Sequence, residues 1–258
     1  MGDALCIIPA RMASSRFPGK PLAPLLGLAL VLHVLERCRG ADQLSRVVVA
    51  TCDREIFDAV IAYGGEAVMT ADSHPGCVDR TEEAVDILAP ELADEDLVLM
   101  VQGDEILVSP EMINRVVSRY RQQQAPVVNL ASRIGDPRDH DDPNTVKVVA
   151  APDGRALYFS RAPIPSRFRS DEVPMYQQTG VIGFSASFLR TFGTLSRTPL
   201  EIAEQIDMMR ALEHGYEIQL VFTESETLGV DTPVDLARAE AILATDPIAQ
   251  SYLGNPHE

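Results

Sequence analysis

The 258-residue chain is poor in cysteine, poor in cations and free of long apolar runs. Its four cysteines, Cys6, Cys38, Cys52 and Cys77, form no C-x-x-C pair, which argues against a zinc site or a dithiol redox motif. Cys6 and Cys38 fall in apolar runs and read as small core residues. His33, His74, His140, His214 and His257 have no metal-ligand spacing. No G-x-G-x-x-G motif follows the first apolar run, which disfavours a nicotinamide oxidoreductase. No apolar stretch approaches the roughly 20 residues needed to span a bilayer. Met1-Gly2-Asp3 is no basic start for a signal peptide. Lys and Arg number 22 against 38 Asp and Glu, a formal net charge of −16. That balance argues against nucleic acid and anionic membranes as partners, since both demand a basic footprint. The expectation is a soluble, reduced, cytoplasmic protein.

Hydrophobic residues make up 46% of the chain and charged residues 23%, enough for a substantial core. There is no internal repeat and no low-complexity segment. Apolar strands alternate with amphipathic helices through the first half. Strands are predicted over 4–8, 46–50, 66–69 and 97–101, and helices over 28–39, 54–63, 80–88 and 110–123. This βαβα order implies a mainly parallel, doubly wound α/β sheet. After about residue 125 the pattern changes to strands at 127–133, 145–150, 156–159 and 179–185 without regular crossover helices. This half reads as an inserted β region that shapes an acceptor pocket and supports a dimer. Helices over 202–214 and 233–243, with a strand at 217–221 between them, close the domain. The organisation is one domain over 1–245, with a first half of about 1–125 and a second region of about 126–215. A flexible tail is expected over 246–258.

Against this acidic background, three cations stand together in the loop Arg11-Met12-Ala13-Ser14-Ser15-Arg16-Phe17-Pro18-Gly19-Lys20. The loop directly follows the first strand, and ligands of parallel sheets bind beyond the carboxyl ends of strands. Its fixed charges and backbone N–H groups suit a polyphosphate. A second motif, Gln102-Gly103-Asp104-Glu105, ends the strand 97–101 and places Asp104 at the mouth of the sheet, suited to a divalent cation. A third, Gly229-Val230-Asp231-Thr232-Pro233-Val234-Asp235, reads as a helix start with Thr232 as N-cap and Pro233 in the first turn. That reading leaves Asp231 unexplained, and convergence with Asp104 would make a two-carboxylate magnesium site. Asp139-His140-Asp141 spells the Asp-x-Asp motif of glycosyltransferases but reads as a solvated turn.

These motifs, together with Val146-Lys147-Val148-Val149 and Ala156-Leu157-Tyr158-Phe159-Ser160-Arg161-Ala162-Pro163-Ile164-Pro165, occur in one order. In that order the chain strongly resembles the 3-deoxy-manno-octulosonate cytidylyltransferases, the CMP-Kdo synthetases, from about Leu5 to Ala244. The resemblance implies a mixed sheet of the nucleotide-diphospho-sugar transferase type, usually in a homodimer. It also implies transfer of CMP from CTP to an acidic sugar with release of pyrophosphate. By resemblance, Arg11 and Lys20 bind the triphosphate with Arg16 nearby; Ala10, Gln102 and Gly103 border the nucleotide. Arg80 lies by the cytosine, and Asp104 and Asp231 hold Mg2+. Lys20, Arg11 and Asp104 carry the catalysis, while Arg161, Gln178 and Asp207 face the acceptor.

The chain departs from the family where the family holds its sugar. Ser-Gly-Thr-Glu-Arg becomes Gly76-Cys77-Val78-Asp79-Arg80, and the proline after Gln-Gly-Asp-Glu becomes Ile106. His-Leu-Gly-Ile-Tyr-Gly becomes Gln178-Thr179-Gly180-Val181-Ile182-Gly183, and a Glu-Gln pair becomes Asp207-Met208. An unmatched hydroxyl partner costs about 1–3 kcal/mol. The expectation is therefore an acceptor other than standard Kdo: a modified ulosonic acid such as an amino-Kdo, or a small phosphonate such as phosphonoformate. Two alternatives stay open, a genuine CMP-Kdo synthetase of lipopolysaccharide or capsule biosynthesis and a catalytically silent nucleotide-binding protein.

Overall fold

A computed structural model describes residues 4–13, 16–169 and 173–254. The start Met1–Asp3, Ser14-Ser15 of the cationic loop and the last four residues of the expected tail lie outside the described residues. In chain order the elements are β1 (Ala4–Ala10), β2 (Pro24–Leu25), β3 (Leu28–Ala29), α1 (Leu30–Arg39), β4 (Arg46–Thr51), α2 (Arg54–Ala62), β5 (Ala67–Met69), α3 (Cys77–Leu88), β6 (Leu97–Val101) and α4 (Pro110–Gln123). They continue with β7 (Val127–Arg133), α5 (Pro137–Asp141), β8 (Lys147–Ala150), β9 (Ala156–Ser160), β10 (Tyr176–Ser185), α6 (Ala186–Thr194), α7 (Pro199–Glu204), α8 (Met208–Glu213), β11 (Ile218–Thr223), α9 (Pro233–Leu243) and α10 (Pro247–Leu253).

The main sheet runs β11-β7-β10-β6-β1-β4-β5, with β8 and β9 attached as a wing on β10. β1 pairs in parallel with both β4 and β6, so Ile7 lies between Val48 and Met100. β10 is antiparallel to β6 and β7, whereas β11 is parallel to β7. Strand alternation divides the core into two layers. Cys6 and Ile8 of β1, with Leu97, Leu99 and Val101 of β6, pack on the side of α1, α4, α9 and α10. Leu5 and Ile7, with Val98 and Met100, pack on the side of α3, α6 and α8. Both faces are covered, which explains the unbroken apolar runs of β1 and β6. Each buried Leu or Ile stabilises this arrangement by about 1.5–3 kcal/mol.

The doubly wound α/β sheet is present, but several expected elements take another form. The inserted β region is no separate body, since β7 and β10 continue the central sheet. The helix predicted from Leu28 begins at Leu30, because Leu26 and Gly27 turn with positive φ and set β2 against β3. The helix predicted over 202–214 is two helices, separated where Gln205 adopts φ 55. The expected frayed tail is helical over Pro247–Leu253. Asp246 caps that helix through the Ile248 amide, Arg37 pairs with Asp246, and the Tyr252 hydroxyl meets His33 Nδ1 at 2.9 Å. The Asp139-His140-Asp141 stretch is not a solvated turn: it lies in α5, with His140 buried and bonded to the Ile164 carbonyl. Among the described residues no helix is long and apolar enough to cross a membrane.

Glu82 on α3 lies with its carboxylate against the α-carbon of Gly193 on α6. Burial, then Asp86 and Asp79, push the Glu82 carboxyl up to about 7. The folded state thus binds a proton that the unfolded chain, with an ordinary value of 4.5, releases earlier. Stability contributed by the neutral acid falls as pH rises from about 4.5 through 7. Glu82→Gln is expected to be more stable than the parent chain at pH 8, with a gap that shrinks toward pH 5. Urea unfolding of both proteins at the two pH values measures this.

Candidate active site

The site forms where the chain leaves the carboxyl ends of the adjacent strands β1 and β6. Their onward connections run toward opposite edges of the sheet, to β4 and to β7, which makes this gap its switch point. The β1 exit is the cationic loop. Gly19, in the left-handed region at φ 75, turns it into a short 3-10 helix that begins with Lys20. Lys20 is only 8% exposed, and its Nζ donates to Asp104 Oδ2 at 2.7 Å and to Asp231 Oδ1 at 3.3 Å. Burial opposes its charge, but the fields and hydrogen bonds of the two carboxylates outweigh that and raise its pKa. Arg16 meets the other oxygen of Asp231 at 2.9 Å. The convergence of Asp104 and Asp231, which the sequence left open, is therefore present: both touch one nitrogen. Arg11 is exposed and makes no hydrogen bond or ion pair among the described residues.

The β6 exit is held from three directions. The Gln102 amide donates to the Gly180 carbonyl at 2.9 Å, and the Gly103 amide donates to the Pro9 carbonyl at 3.3 Å, beside Ala10. The Val230 amide donates to the Asp104 carbonyl at 3.1 Å, and the Ile106 amide donates to the Leu228 carbonyl at 3.1 Å. These bonds fix the segment that carries Asp231. Asp235 completes a capping box with Thr232 and also accepts the Asp231 amide, as the N-cap reading of this motif predicts. Ile106, expected on the sugar side, instead belongs to the apolar core.

A cavity of about 760 Å³ opens beside these carboxylates, lined among others by Gln102, Asp104, Arg161, Gln178, Asp207 and Asp231. Val78 and Met208 line it as well. The Arg161 guanidinium is engaged by the carbonyls of Pro143, Glu204 and Gln205. Gln178 donates to Asn129 Oδ1 at 2.9 Å. Arg80 is buried, and its guanidinium donates to Thr70 Oγ1 and the Ala71 carbonyl. Asp207 sits against Gly76: a side-chain carbon at that glycine would lie 2.7 Å from its carboxylate. Two of the departures from the family pattern, Gly76 and Asp207, are thus one packing event. Burial, then Asp79, push the Asp207 carboxyl up to about 6 against the pull of Arg210. Burial, with Asp207 and Asp104 beyond it, pushes the Cys77 thiol to about 12, so it is no nucleophile.

Three groups of the site had no role in the sequence reading, although Glu105 and Lys147 lie in its motifs. Glu105 is buried and accepts the Gly180 amide. Burial, then the charges of Asp104 and Asp231, push its carboxyl up to about 7, against the Gly180 N–H and Lys20. Asn129 donates to the carbonyls of Leu130, Thr179 and Val181, where β10 bulges against β7. A lone Asn inside an apolar strand was its available signal. Lys147, fully buried, gives all three protons to the carbonyls of Asp142, Thr145 and Arg161, which fastens the cavity wall.

A mixed, largely parallel sheet with a cationic loop, two convergent carboxylates and an adjoining polar cavity at its switch point defines a nucleotidyltransferase of the nucleotide-diphospho-sugar transferase fold. The cytidylyltransferase family model matches residues 5–219, and the chain belongs to that family of CTP-dependent enzymes. It is 40% identical to the 3-deoxy-manno-octulosonate cytidylyltransferase of Thermodesulfovibrio yellowstonii, over 93% of this chain and 98% of that protein. It is 41% identical to the 8-amino-3,8-dideoxy-manno-octulosonate cytidylyltransferase of Shewanella amazonensis, again over 93% and 98%. Its structure is similar to that of CMP:2-keto-3-deoxy-manno-octonic acid synthetase complexed with CTP, with a TM-score of 0.87, 32% identity and coverage of 94% of this chain and 98% of that one. The 4-diphosphocytidyl-2C-methyl-D-erythritolsynthase from Anaerococcus prevotii shares the fold alone, with a TM-score of 0.62, 17% identity and coverage of 94% and 99%. The relatives at about 40% identity are named for octulosonic acids. The phosphonate acceptor expected from the sequence finds no support in them.

Gly180 packs closely against the site's Gln102. A methyl group there would lie 2.7–2.9 Å from the Gln102 side chain. Gly180→Ala is expected to cost about 1–3 kcal/mol of stability through overpacking, as read by urea denaturation.

Proposed function

We propose that this chain transfers CMP from CTP to a 3-deoxy-octulosonic acid and releases pyrophosphate, and that an acceptor bearing an amino group is its better substrate. The observation that carries the reading is the contact of one buried lysine with two carboxylates from distant segments, beside a polar cavity of sugar size. Arg11 and Lys20 take the triphosphate, with Arg16 at its edge. Lys20 needs no deprotonation for this, because its work is to hold charge against phosphate. The acceptor hydroxyl attacks the α-phosphorus in line, and the departing pyrophosphate carries its charge into the cationic loop. Gln102, Gly103 and Ala10 border the nucleotide, while Gln178 and Asp207 meet the acceptor. Arg161, tied to three carbonyls, shapes the acceptor wall.

Asp104 and Asp231 suit Mg2+. Both reach a single point at Lys20 Nζ, and magnesium takes one or two carboxylates with phosphate oxygens and water. Among the described residues no group of three or more His, Cys, Asp and Glu could hold an ion alone, which fits an ion that arrives with the nucleotide. Once bound there, it would neutralise triphosphate charge and steady the leaving group.

Preference for an amino-bearing acceptor rests on the end of the cavity that Asp207 lines. The Arg210 guanidinium is spent on Glu201 through two hydrogen bonds of 2.7 and 2.9 Å. Asp79 lies 3.7 Å from it and keeps one buried oxygen without a partner. Asp79 and Asp207 therefore leave net negative charge at that end, which an ammonium group would balance. The reading includes a cytoplasmic location, where CTP is supplied, and a homodimer joined through the acceptor half, where Leu157 and Ile202 are exposed.

Lys20→Ala or Arg11→Ala is expected to lower turnover more than about tenfold without unfolding, from the loss of charge-assisted bonds worth about 1.5–3 kcal/mol. Pyrophosphate release measures it, and near-parental turnover in either variant refutes the loop's role. Asp104→Asn and Asp231→Asn should each weaken magnesium-dependent activity, with a double variant less damaged than the product of the single effects. Comparison of kcat/KM for Kdo and its 8-amino analogue tests the acceptor. A tenfold advantage for Kdo, about 1.4 kcal/mol in transition-state stabilisation, overturns the amino preference.

A further inference from the structure

We infer that Asp53 is a positioning residue that sets the spacing of Arg11 and Lys20 by clamping the neck of the cationic loop; this rests on the reading of that loop as the triphosphate site. Ala10, the last residue of β1, lies in register with Thr51, the last residue of β4. The loop after β1 and the segment carrying Asp53 therefore leave two hydrogen-bonded strands at the same level. Asp53 is the N-cap residue of α2, yet its side chain makes no capping hydrogen bond. Asp at an N-cap ordinarily spends its carboxylate on the second or third amide of its own helix. Here Oδ2 instead accepts the backbone amide of Met12, 41 residues away, at 2.7 Å. The Thr51 hydroxyl accepts the Asp53 amide at 3.1 Å and fixes the residue that reaches across.

The other side of Met12 closes the loop: its carbonyl accepts the Gly19 amide at 3.1 Å. Met12 is thus held through both its N–H and its C=O, and it forms the neck of the loop between Arg11 and Lys20. Arg11 directly precedes that neck, and Lys20 directly follows Gly19. Lys20 is fixed further by its two carboxylates, whereas Arg11 has no partner among the described residues. The Met12–Asp53 bond is the tether nearest Arg11 on the loop side. An untethered neck would leave Arg11 free to follow the loop away from the phosphates, at a cost to nucleotide affinity and none to the acceptor cavity, whose lining lacks Asp53.

The test compares Asp53→Ala, which removes the acceptor oxygen, with Asp53→Asn, which keeps one. Three quantities are read: CTP affinity by calorimetry, KM for CTP against KM for the acceptor, and hydrogen exchange at the Met12 amide. Asp53→Ala is expected to weaken CTP binding about tenfold, the scale of one lost charge-assisted bond, and to speed exchange at Met12. KM for the acceptor and the melting temperature should change little, since α2 loses no side-chain cap. Asp53→Asn should return CTP affinity to within about twofold of the parent, because its amide oxygen can accept the same N–H. The inference fails if Asp53→Ala binds CTP as the parent does, or if both KM values rise together with a fall in melting temperature that Asn does not repair. A parent chain that binds CTP without transferring CMP would sink the transfer reading alone, because the binding comparison still decides the role of Asp53. A parent chain that binds no CTP overturns both.

Discussion

Everything in the site is referred to one buried ammonium group. Lys20 comes from the first loop, Asp104 from the end of β6 and Asp231 from the start of α9, so its two contacts span 84 and 211 residues of sequence. A half-buried carboxylate at a sheet edge is costly unless paired, and two side by side are more so. Lys20 offsets both, and Arg16 takes the remaining oxygen of Asp231. The loop, the strand end and the helix start are thereby held in one geometry. A site built this way needs little reorganisation when charge develops on a phosphate, which is the condition under which electrostatic stabilisation is most effective.

The cavity wall depends on a second kind of device, buried polar groups that are fully used. Lys147 spends three protons on three carbonyls, and Asn129 satisfies the backbone where β10 shifts register against β7. Burial lowers the Lys147 pKa, helped by nearby Arg161, although Asp142 and other acids resist. Such groups are expensive when half-satisfied and rigid when complete. By contrast, the acidic pair behind the Asp207 end of the cavity is incomplete: one oxygen of Asp79 is buried without a partner.

Much of the fold was legible because its strands and helices follow strong local periodicity. β6 and α4 have the limits their apolar runs and the Ser109-Pro110 start imply. α10 could have been read from its Asp246-Pro247 start, but its docking on α1 through His33 and Tyr252 is a contact of 219 residues' separation. The break at Gln205 carried no glycine or proline to announce it, because Gln adopts the left-handed region only where surrounding packing compensates. Ile106 was misread as an acceptor residue because a position in a motif does not say which way the side chain turns.

By itself the sequence determined the class of chemistry. Cations after β1 and acids after β6 and before α9 lie at strand and helix ends, and in a parallel sheet those ends gather at one edge whatever the loops do. Only the tertiary structure decided which charges meet. It put Lys20 between Asp104 and Asp231, engaged Arg161 with backbone carbonyls, left Arg11 exposed, and turned Asp53 from its own helix to the amide of Met12. The reason is range: periodicity is set by neighbours within a few residues, whereas a hydrogen bond or ion pair is settled within about 3 Å between groups that the chain brings together only after the sheet has closed.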